Sequence, residues 1–394
     1  MSQSATVKLE EIMASKLGAV DPSKYPDEIF DLYSIPAFDN RQPEVVAGRD
    51  IGSTKQIVEP GDVLLSKIVP HIRRSWVVGE NRNRRIIASG EWIVFRDKRI
   101  CPEYLRQVLV GNPFHVRFMS TVAGVGGSLL RARPAHVAKI RIPLPPLPEQ
   151  RRIAEVLDLA EALRAKRRAA LAQLDTLIQS VFLDLFGNSE RREWPVTTIA
   201  EVAHPDEGSI RTGPFGSDLL HSEFVNEGVA VLGIDNAVAN EFRWGERRFI
   251  SESKYSELKR YTVKPGDVLI TIMGTCGRCA VVPNDVPVAI NTKHLCCITL
   301  DSEKCLPSFL HAYFLRHPLA RRYLEQTAKG AIMAGLNMGI ITAMPIRLPP
   351  LSLQHDFARR VASVDKLKIA HRASLTEMDA LFAALQHRGF RGEL

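Results

Sequence analysis

The chain has 394 residues, room for two or three domains that each bury a core. Hydrophobic residues at 45% and charged residues at 24% are the balance of an ordinary soluble globular protein, and a net charge of +8 favours a polyanionic partner without requiring one. No apolar run approaches the ~18 residues of a membrane span, and the N-terminus lacks a signal peptide's apolar stretch, so a cytoplasmic protein with no membrane partner is expected.

In chain order, the first half carries Asp31-Leu-Tyr-Ser-Ile-Pro-Ala37 and then Val58-Glu-Pro-Gly-Asp-Val-Leu-Leu65, a PGD turn launching an apolar run that reads as a buried strand. A basic run from Arg82 to Arg85 follows, and Cys101-Pro-Glu-Tyr-Leu105 opens a short helix. Pro143, Pro145, Pro146 and Pro148 form a stiff hinge that stops the next helix from running back into the domain. That helix places Ile153, Leu157, Ala160, Leu171, Leu174, Ile178, Val181 and Leu185 at alternating spacings of three and four, a coiled-coil seam.

The chain then repeats itself. The segment from Ile142, IPLPPLPEQRRIAEVLDLAEALRAKRR, returns about 204 residues later at Ile346 as IRLPPLSLQHDFARRVASVDKLKIAHR. Val263-Lys-Pro-Gly-Asp-Val-Leu-Ile270 repeats the PGD turn, and Cys305-Leu-Pro-Ser-Phe309 the short helix. Pro345, Pro349 and Pro350 repeat the hinge, and Phe357, Val361, Val364, Leu375, Met378, Phe382 and Leu385 the seam. A repeat this long suits two copies of a whole module. The expected fold is mixed α/β (α+β). Domain 1 spans residues 1–142, a hinge and long central helix 143–188, domain 2 189–345, and a second hinge and C-terminal helix 346–394. Helices of about 35–38 residues would run roughly 55 Å. With a domain between them, they pair most economically as an antiparallel coiled coil with pseudo-two-fold symmetry. Both seams break at the same place, with Arg164 and Arg167 matched by Lys368 and His371. The plainer reading, preferred here, has these bases snorkel from the rim. The sharper one makes them a central polar layer that fixes register.

Catalytic chemistry is missing from the sequence. There is no GxxxxGK[ST] loop, dinucleotide fingerprint, HExxH or GxSxG, and nothing assembles nucleophile, base and oxyanion donor. Gly124-Val-Gly-Gly127 reads as a flexible loop. Five of six cysteines fall between Cys276 and Cys305, but Cys276-Gly-Arg-Cys279 has no second CxxC, so it reads as a glycine-containing turn with small buried thiols and no metal is expected. The sequence argues for a binding protein.

The LPPLPEQ hinge, the RAKRR helix, the PGDVL turns and the duplication together resemble the specificity subunits of type I restriction–modification systems, over nearly the whole chain. Gln150 and Gln354 match that family's glutamine at the helix start, and Tyr33-Ser-Ile-Pro36 and the entry at Trp194 look like openings of its target-recognition domains. The second copy departs at Ser352-Leu353, where the first has Pro148-Glu149. The resemblance implies a non-catalytic subunit whose two target-recognition domains each read half of an asymmetric, bipartite site in double-stranded DNA, with the helices setting the spacer. Two methyltransferase subunits would bring S-adenosylmethionine, and two restriction–translocase subunits ATP and magnesium. Arginine suits guanine and asparagine adenine in the major groove, while other bases neutralise phosphates. On that rule the candidate DNA contacts are Lys67, Arg73, Arg74, Arg82 and Arg84 in domain 1, and Arg211, Arg278, Asn291, Lys293 and Lys329 in domain 2. Each is equally readable as a solvated surface charge or turn residue. Candidate helix-pair or subunit contacts are Gln150, Arg164, Arg167, Leu171, Leu174, Gln354, Lys368, His371, Leu375 and Met378. The rival readings are a nuclease or methyltransferase fragment and a stand-alone DNA-binding regulator.

Overall fold

A computed structural model describes residues 5–124, 130–187, 193–328 and 336–394. The chain divides into two units, Met1–Arg168 with Ala373–Leu394, and Ala169–Arg372. The units therefore do not follow the linear order of domain and helix. The long helices Leu147–Phe186 and Leu351–Gly389, of 40 and 39 residues, each contribute one half to each unit.

Both units are mixed α/β and use the same parts. In unit 1 the strand Thr6–Lys8 pairs antiparallel with the hinge strand Arg141–Pro143; in unit 2 Val196–Thr198 pairs with Pro345–Arg347. The PGD turns are required to turn left: Gly61 and Gly266 have φ of 86° and 82°, which a Cβ would disfavour. They feed the buried strands Val63–Ser66 and Val268–Thr271, each central in its sheet. A second sheet in each unit contains one parallel pair, Ile29–Tyr33 with Arg85–Ala88 and Val229–Leu232 with Ala289–Asn291. The short helices Pro102–Val110 and Pro307–Arg316 sit where the repeated cysteine segments place them.

The PGD aspartates do more than turn the chain. Asp62 and Asp267 are both 1% exposed. Asp62 accepts from Glu59 N at 2.8 Å and from Arg96 Nε and Nη2 at 2.6 and 2.7 Å. Asp267 accepts from Lys264 N at 2.8 Å, Thr299 Oγ1 at 2.7 Å and Arg211 Nη2 at 2.6 Å. The two units thus share the aspartate but recruit its arginine from different places, Arg96 just after the strand Trp92–Phe95 and Arg211 within the strand Ile210–Thr212.

The helices dock onto their domains through the repeated glutamines. Gln150 accepts from Cys101 N at 2.8 Å and donates to Arg99 O and Pro145 O at 3.0 and 2.8 Å. Gln354 accepts from Leu306 N at 2.8 Å and donates to Lys304 O and Pro349 O at 3.0 and 2.9 Å. Both side chains are buried, so the expectation that they face the other helix or a partner subunit is corrected: each ties hinge, helix and short helix of one unit together. Gln150→Ala or Gln354→Ala strands a buried N–H and two carbonyls. Each change is expected to cost about 2–3 kcal/mol in urea unfolding; a loss under about 0.5 kcal/mol would show that the clasp is dispensable.

Apolar seams do the remaining work. In unit 1 Ile153 and Leu157 enter a core with Tyr104, Leu105 and Phe118, against which Phe382 and Leu385 pack. In unit 2 Phe182 and Phe186 meet Phe357 and Phe309, with ring centroids 5.0–6.4 Å apart. The sequence seam named Val181 and Leu185, but these are half-buried while the adjacent phenylalanines are 0% and 1% exposed. The larger rings take the core-facing positions because the helix here packs on a domain as well as on its partner helix. Leu171, Leu174, Leu375 and Met378 are half-buried.

Within each unit the helices run antiparallel, and their basic breaks are paired. In unit 1 Arg164 donates through Nε and Nη2 to Asp379 Oδ1 at 2.7 and 2.6 Å, bonds Glu161, and lies over the Phe382 ring at 4.3 Å. In unit 2 Lys368 Nζ lies 2.7 Å from Asp175 Oδ1. Their side chains are only 15% and 10% exposed. Asp175 and Asp379 are themselves repeat counterparts, so one interhelical ion pair is built twice. The preferred rim-snorkelling reading is therefore corrected in favour of polar cross-links within the seam. Arg167 and His371 are half-buried beside them.

The first long helix also contains an 18-residue window of mean hydropathy 1.3, long and apolar enough by length and composition to cross a membrane. The sequence expectation of no such run is corrected. Its apolar residues Ile178, Phe182 and Phe186 are, however, spent on the unit 2 core.

Candidate nucleic-acid interface

Unit 2 carries a cavity of about 830 Å³ lined by His221, Phe224, Asp235, Arg248, Thr292 and His294, among others. Three stretches of chain build it: the turn before Phe224–Val225, the segment between Val229–Leu232 and Phe249–Ile250, and the turn after Ala289–Asn291. Because the strands Val229–Leu232 and Ala289–Asn291 lie side by side and parallel, their C-terminal turns open onto one edge. Ligands commonly bind at such an edge.

At its centre Arg248 Nη2 bonds Asp235 Oδ1. Gly233 permits this approach, since a Cβ there would lie 2.6 Å from Arg248 Nη2 and 2.8 Å from Asp235 Oδ1. Several polar atoms remain unspent: Asp235 Oδ2, Arg248 Nε and Thr292 Oγ1 are buried without a hydrogen-bond partner among the described residues. Each such group costs about 1–3 kcal/mol unless a ligand or solvent satisfies it. Burial, then the charges of Lys293 and Arg248, hold the His294 pKa below its ordinary value of 6.5, so the ring is neutral at pH 7 and can both donate and accept. A forked donor beside a free carboxylate oxygen can present both donor and acceptor to a base edge. Nearby, Arg247 lies over the Trp244 ring at 5.3 Å.

The residues expected from sequence are scattered by comparison. Arg82 and Arg278 are exposed, Lys293 is half-buried next to the cavity, and Lys329 lies outside the described residues, as do Val125–Gly127 of the glycine-rich segment. Lys67 Nζ is 4.0 Å from Glu91, and Arg74 Nε 3.6 Å from Asp39. Arg73 donates to Val110 O at 3.1 Å, and Arg84 to the buried Asp31 at 2.9 Å. Arg211 and Asn291 are corrected from surface readers to interior residues, 8% and 0% exposed. Arg211 neutralises Asp267, and Asn291 donates to Leu295 O at 3.1 Å. Both lie on strands, where alternation sends a side chain into the core. The cavity residues His221, Asp235, Arg247 and Arg248 were missed. One signal for the last two was available: Phe242-Arg-Trp-Gly-Glu-Arg-Arg-Phe249 interleaves bases with aromatics.

Cys276 lies half-buried in a turn with Gly277 at φ 77°, and Cys279 opens the buried strand Cys279–Val281. Burial pushes the thiols of Cys296 and Cys305 up to about 12, so these are apolar packing groups and not nucleophiles. Among the described residues no group of three or more His, Cys, Asp or Glu is placed to hold a metal.

Residues 218–377, which include the whole unit 2 cavity, match the Type I restriction modification DNA specificity domain. The chain is 25% identical over 286 residues to the type I restriction enzyme EcoBI specificity subunit of Escherichia coli, covering 64% of this chain and 58% of that subunit. It is 24% identical over 376 residues to the StySPI specificity subunit of Salmonella potsdam, covering 89% and 78% respectively. The chain thus spans just under three fifths of the first relative and over three quarters of the second. Its fold is shared with the type I restriction–modification S subunit from M. genitalium, at TM-score 0.58 and 11% identity over 98% of this chain and 96% of that one. It is also shared with a chain from a study of complex assembly in a type I R-M system, at TM-score 0.56 and 21% identity over 100% and 99%. The resemblance carried by the hinge, the PGD turns and the duplication is borne out.

Proposed function

We propose that this chain, similar to type I restriction–modification specificity subunits and carrying their DNA specificity domain at residues 218–377, is a sequence-specific DNA reader with no catalytic activity of its own. Each recognition half reads one half of an asymmetric bipartite site, and the helices set the unread spacer. Two methyltransferase subunits and two restriction–translocase subunits, supplying S-adenosylmethionine, ATP and magnesium chemistry, assemble on it in the cytoplasm. The observation that carries the reading is that the matched segment contains a cavity whose buried donors and acceptors are left over after folding.

Two further features support it. Half-sites one helical turn apart lie ~34 Å from centre to centre, and helices of about 60 Å at 1.5 Å per residue are long enough to bridge them. Apolar side chains also remain exposed at matched positions on the two helices: Leu163 and Leu367 at 46% and 52%, Leu177 and Leu381 at 45% and 57%. Each unit holds one from each helix, which suits a partner that docks twice.

The test is methylome mapping in a host that expresses the chain with methyltransferase and restriction partners. Arg248→Ala is expected to lower methylation of sites by roughly 10- to 100-fold, or to relax one half-site, with the other half-site unchanged; one bidentate base contact is worth ~1–3 kcal/mol. Unaltered methylation would remove the cavity from the reading surface. DNA cleavage or methylation by the purified chain alone would overturn the non-catalytic reading.

A further inference from the structure

Unit 1 contains a second cavity, of about 510 Å³, that the DNA-reading proposal does not use. Its walls come from the helix Ile35–Asp39 and the turn after it, the strand Ser75–Val77, the helix Pro102–Val110 and the unit 1 halves of both long helices. Five arginines line it, Arg41, Arg73, Arg106, Arg164 and Arg168, against two carboxylates, Glu161 and Asp379. Those carboxylates are already spent on Arg164 and Arg168. Arg106 is held by Asp158, outside the lining, and Arg73 by a backbone carbonyl.

Unit 2 shows what the arrangement lacks. Arg372 is the repeat counterpart of Arg168, and there the recognition half sends Glu241 to it, with Arg372 Nη2 2.8 and 3.1 Å from the two carboxylate oxygens. Glu241 lies in the segment after the strand Val229–Leu232. In unit 1 the segment after the corresponding strand, Ile29–Tyr33, brings Arg41 to the cavity instead. An acid that closes the contact in one unit is thus replaced by a base in the other.

Two independent features mark the place as a binding site. Ser75, 2% exposed, lines the cavity, and its Oγ is buried without a hydrogen-bond partner among the described residues. Arg41 has φ 56°, a left-handed backbone that a long side chain adopts at a cost, and its guanidinium is held over the Phe38 ring at 4.2 Å. Such strain gathers where a side chain must be presented to a ligand.

We propose that this cavity binds a phosphate group. A tetrahedral phosphate offers more acceptor oxygens than a carboxylate, enough for the Arg41 and Arg73 forks and the Ser75 hydroxyl together. Guanidinium forks match its oxygens two at a time. The volume also exceeds what a single carboxylate fills and lies within the range of small-ligand sites. The proposal is independent of the DNA-reading cavity in unit 2, and its test does not depend on DNA recognition.

The test is isothermal titration calorimetry of the full chain with inorganic pyrophosphate at low salt. Arg41→Asn keeps a residue that tolerates the left-handed backbone, and it is expected to weaken binding roughly 10- to 100-fold. Ser75→Ala is expected to weaken it about fivefold, while Arg151→Ala, at an exposed arginine outside the cavity, leaves it unchanged. Displacement of pyrophosphate by duplex DNA would identify a backbone phosphate as the source, and failure of DNA to displace it a free phosphate compound; either result upholds the site. Absence of pyrophosphate binding overturns the proposal, as does equal weakening by the Arg41 and Arg151 variants. So does capture of a glutamate-rich peptide where pyrophosphate fails.

Discussion

Replacing Asp267 with alanine is expected to destabilise unit 2 by about 3–5 kcal/mol, whereas the same change at its repeat counterpart, Asp62, costs unit 1 only about 1–2 kcal/mol. Both aspartates close the same PGD turn and are equally buried, so turn chemistry predicts equal losses. The difference lies in the arginine each one neutralises. The Arg211 side chain is 9% exposed, and without Asp267 its charge stays in the interior with, among the described residues, Gly208 O, Thr262 O and Thr299 Oγ1 to solvate it. The Arg96 side chain is 37% exposed and keeps Glu59 at 2.9 Å, so it can turn to water when Asp62 is lost. Against a total stability of roughly 5–15 kcal/mol, the first loss is large and the second modest.

Hydrogen exchange read by mass spectrometry separates the two effects, because peptides from each unit report on it separately. Protection in the strand Val268–Thr271 should fall by roughly two to four orders of magnitude in Asp267→Ala, and that in Val63–Ser66 by about one in Asp62→Ala. Equal losses in the two variants would mean that the burial of the partner arginine does not set the cost.

The contrast shows what the sequence could and could not reveal. The scaffold was legible because it is written twice: PGD turn, proline hinge, glutamine and seam recur at nearly the same offset, 205 residues for the turn and 204 for the others, and each takes up the same structural task in both units. Even the interhelical ion pair was half readable, since Arg164 and Lys368 stood out at core-type positions. Their partners did not, because Asp379 and Asp175 become neighbours only once the antiparallel register is fixed. Arg211 was misread for a related reason. Nothing local shows that a strand arginine will meet an aspartate some fifty residues away in unit 2 while unit 1 solves the same problem with Arg96. The cavity was not legible because its residues belong to segments that the halves do not share and that meet only in the folded chain.

Lengthening both long helices by seven residues, between Arg168 and Ala169 and between Arg372 and Ala373, is expected to lengthen the unread spacer and leave both half-sites unchanged. A single four-residue insertion near Gln179 is the obvious experiment from sequence, but Gln179 lies between Ile178 and Phe182, both packed in the unit 2 core. Four residues add about 6 Å and leave a rotation of roughly 40°, which would pull Phe182 and Phe186 away from Phe357. At the division between the units the ion pairs Arg164–Asp379 and Lys368–Asp175 keep their own sides. A heptad also preserves the seam. It adds about 10.5 Å to each helix, equivalent to roughly three base pairs at ~3.4 Å each. Three base pairs also turn the duplex by roughly 100°, so the gain is fewer than three where the spacer resists untwisting. Methylome mapping reads spacer and half-sites together: an unchanged spacer, or altered half-sites, would refute the role of the helices as a ruler.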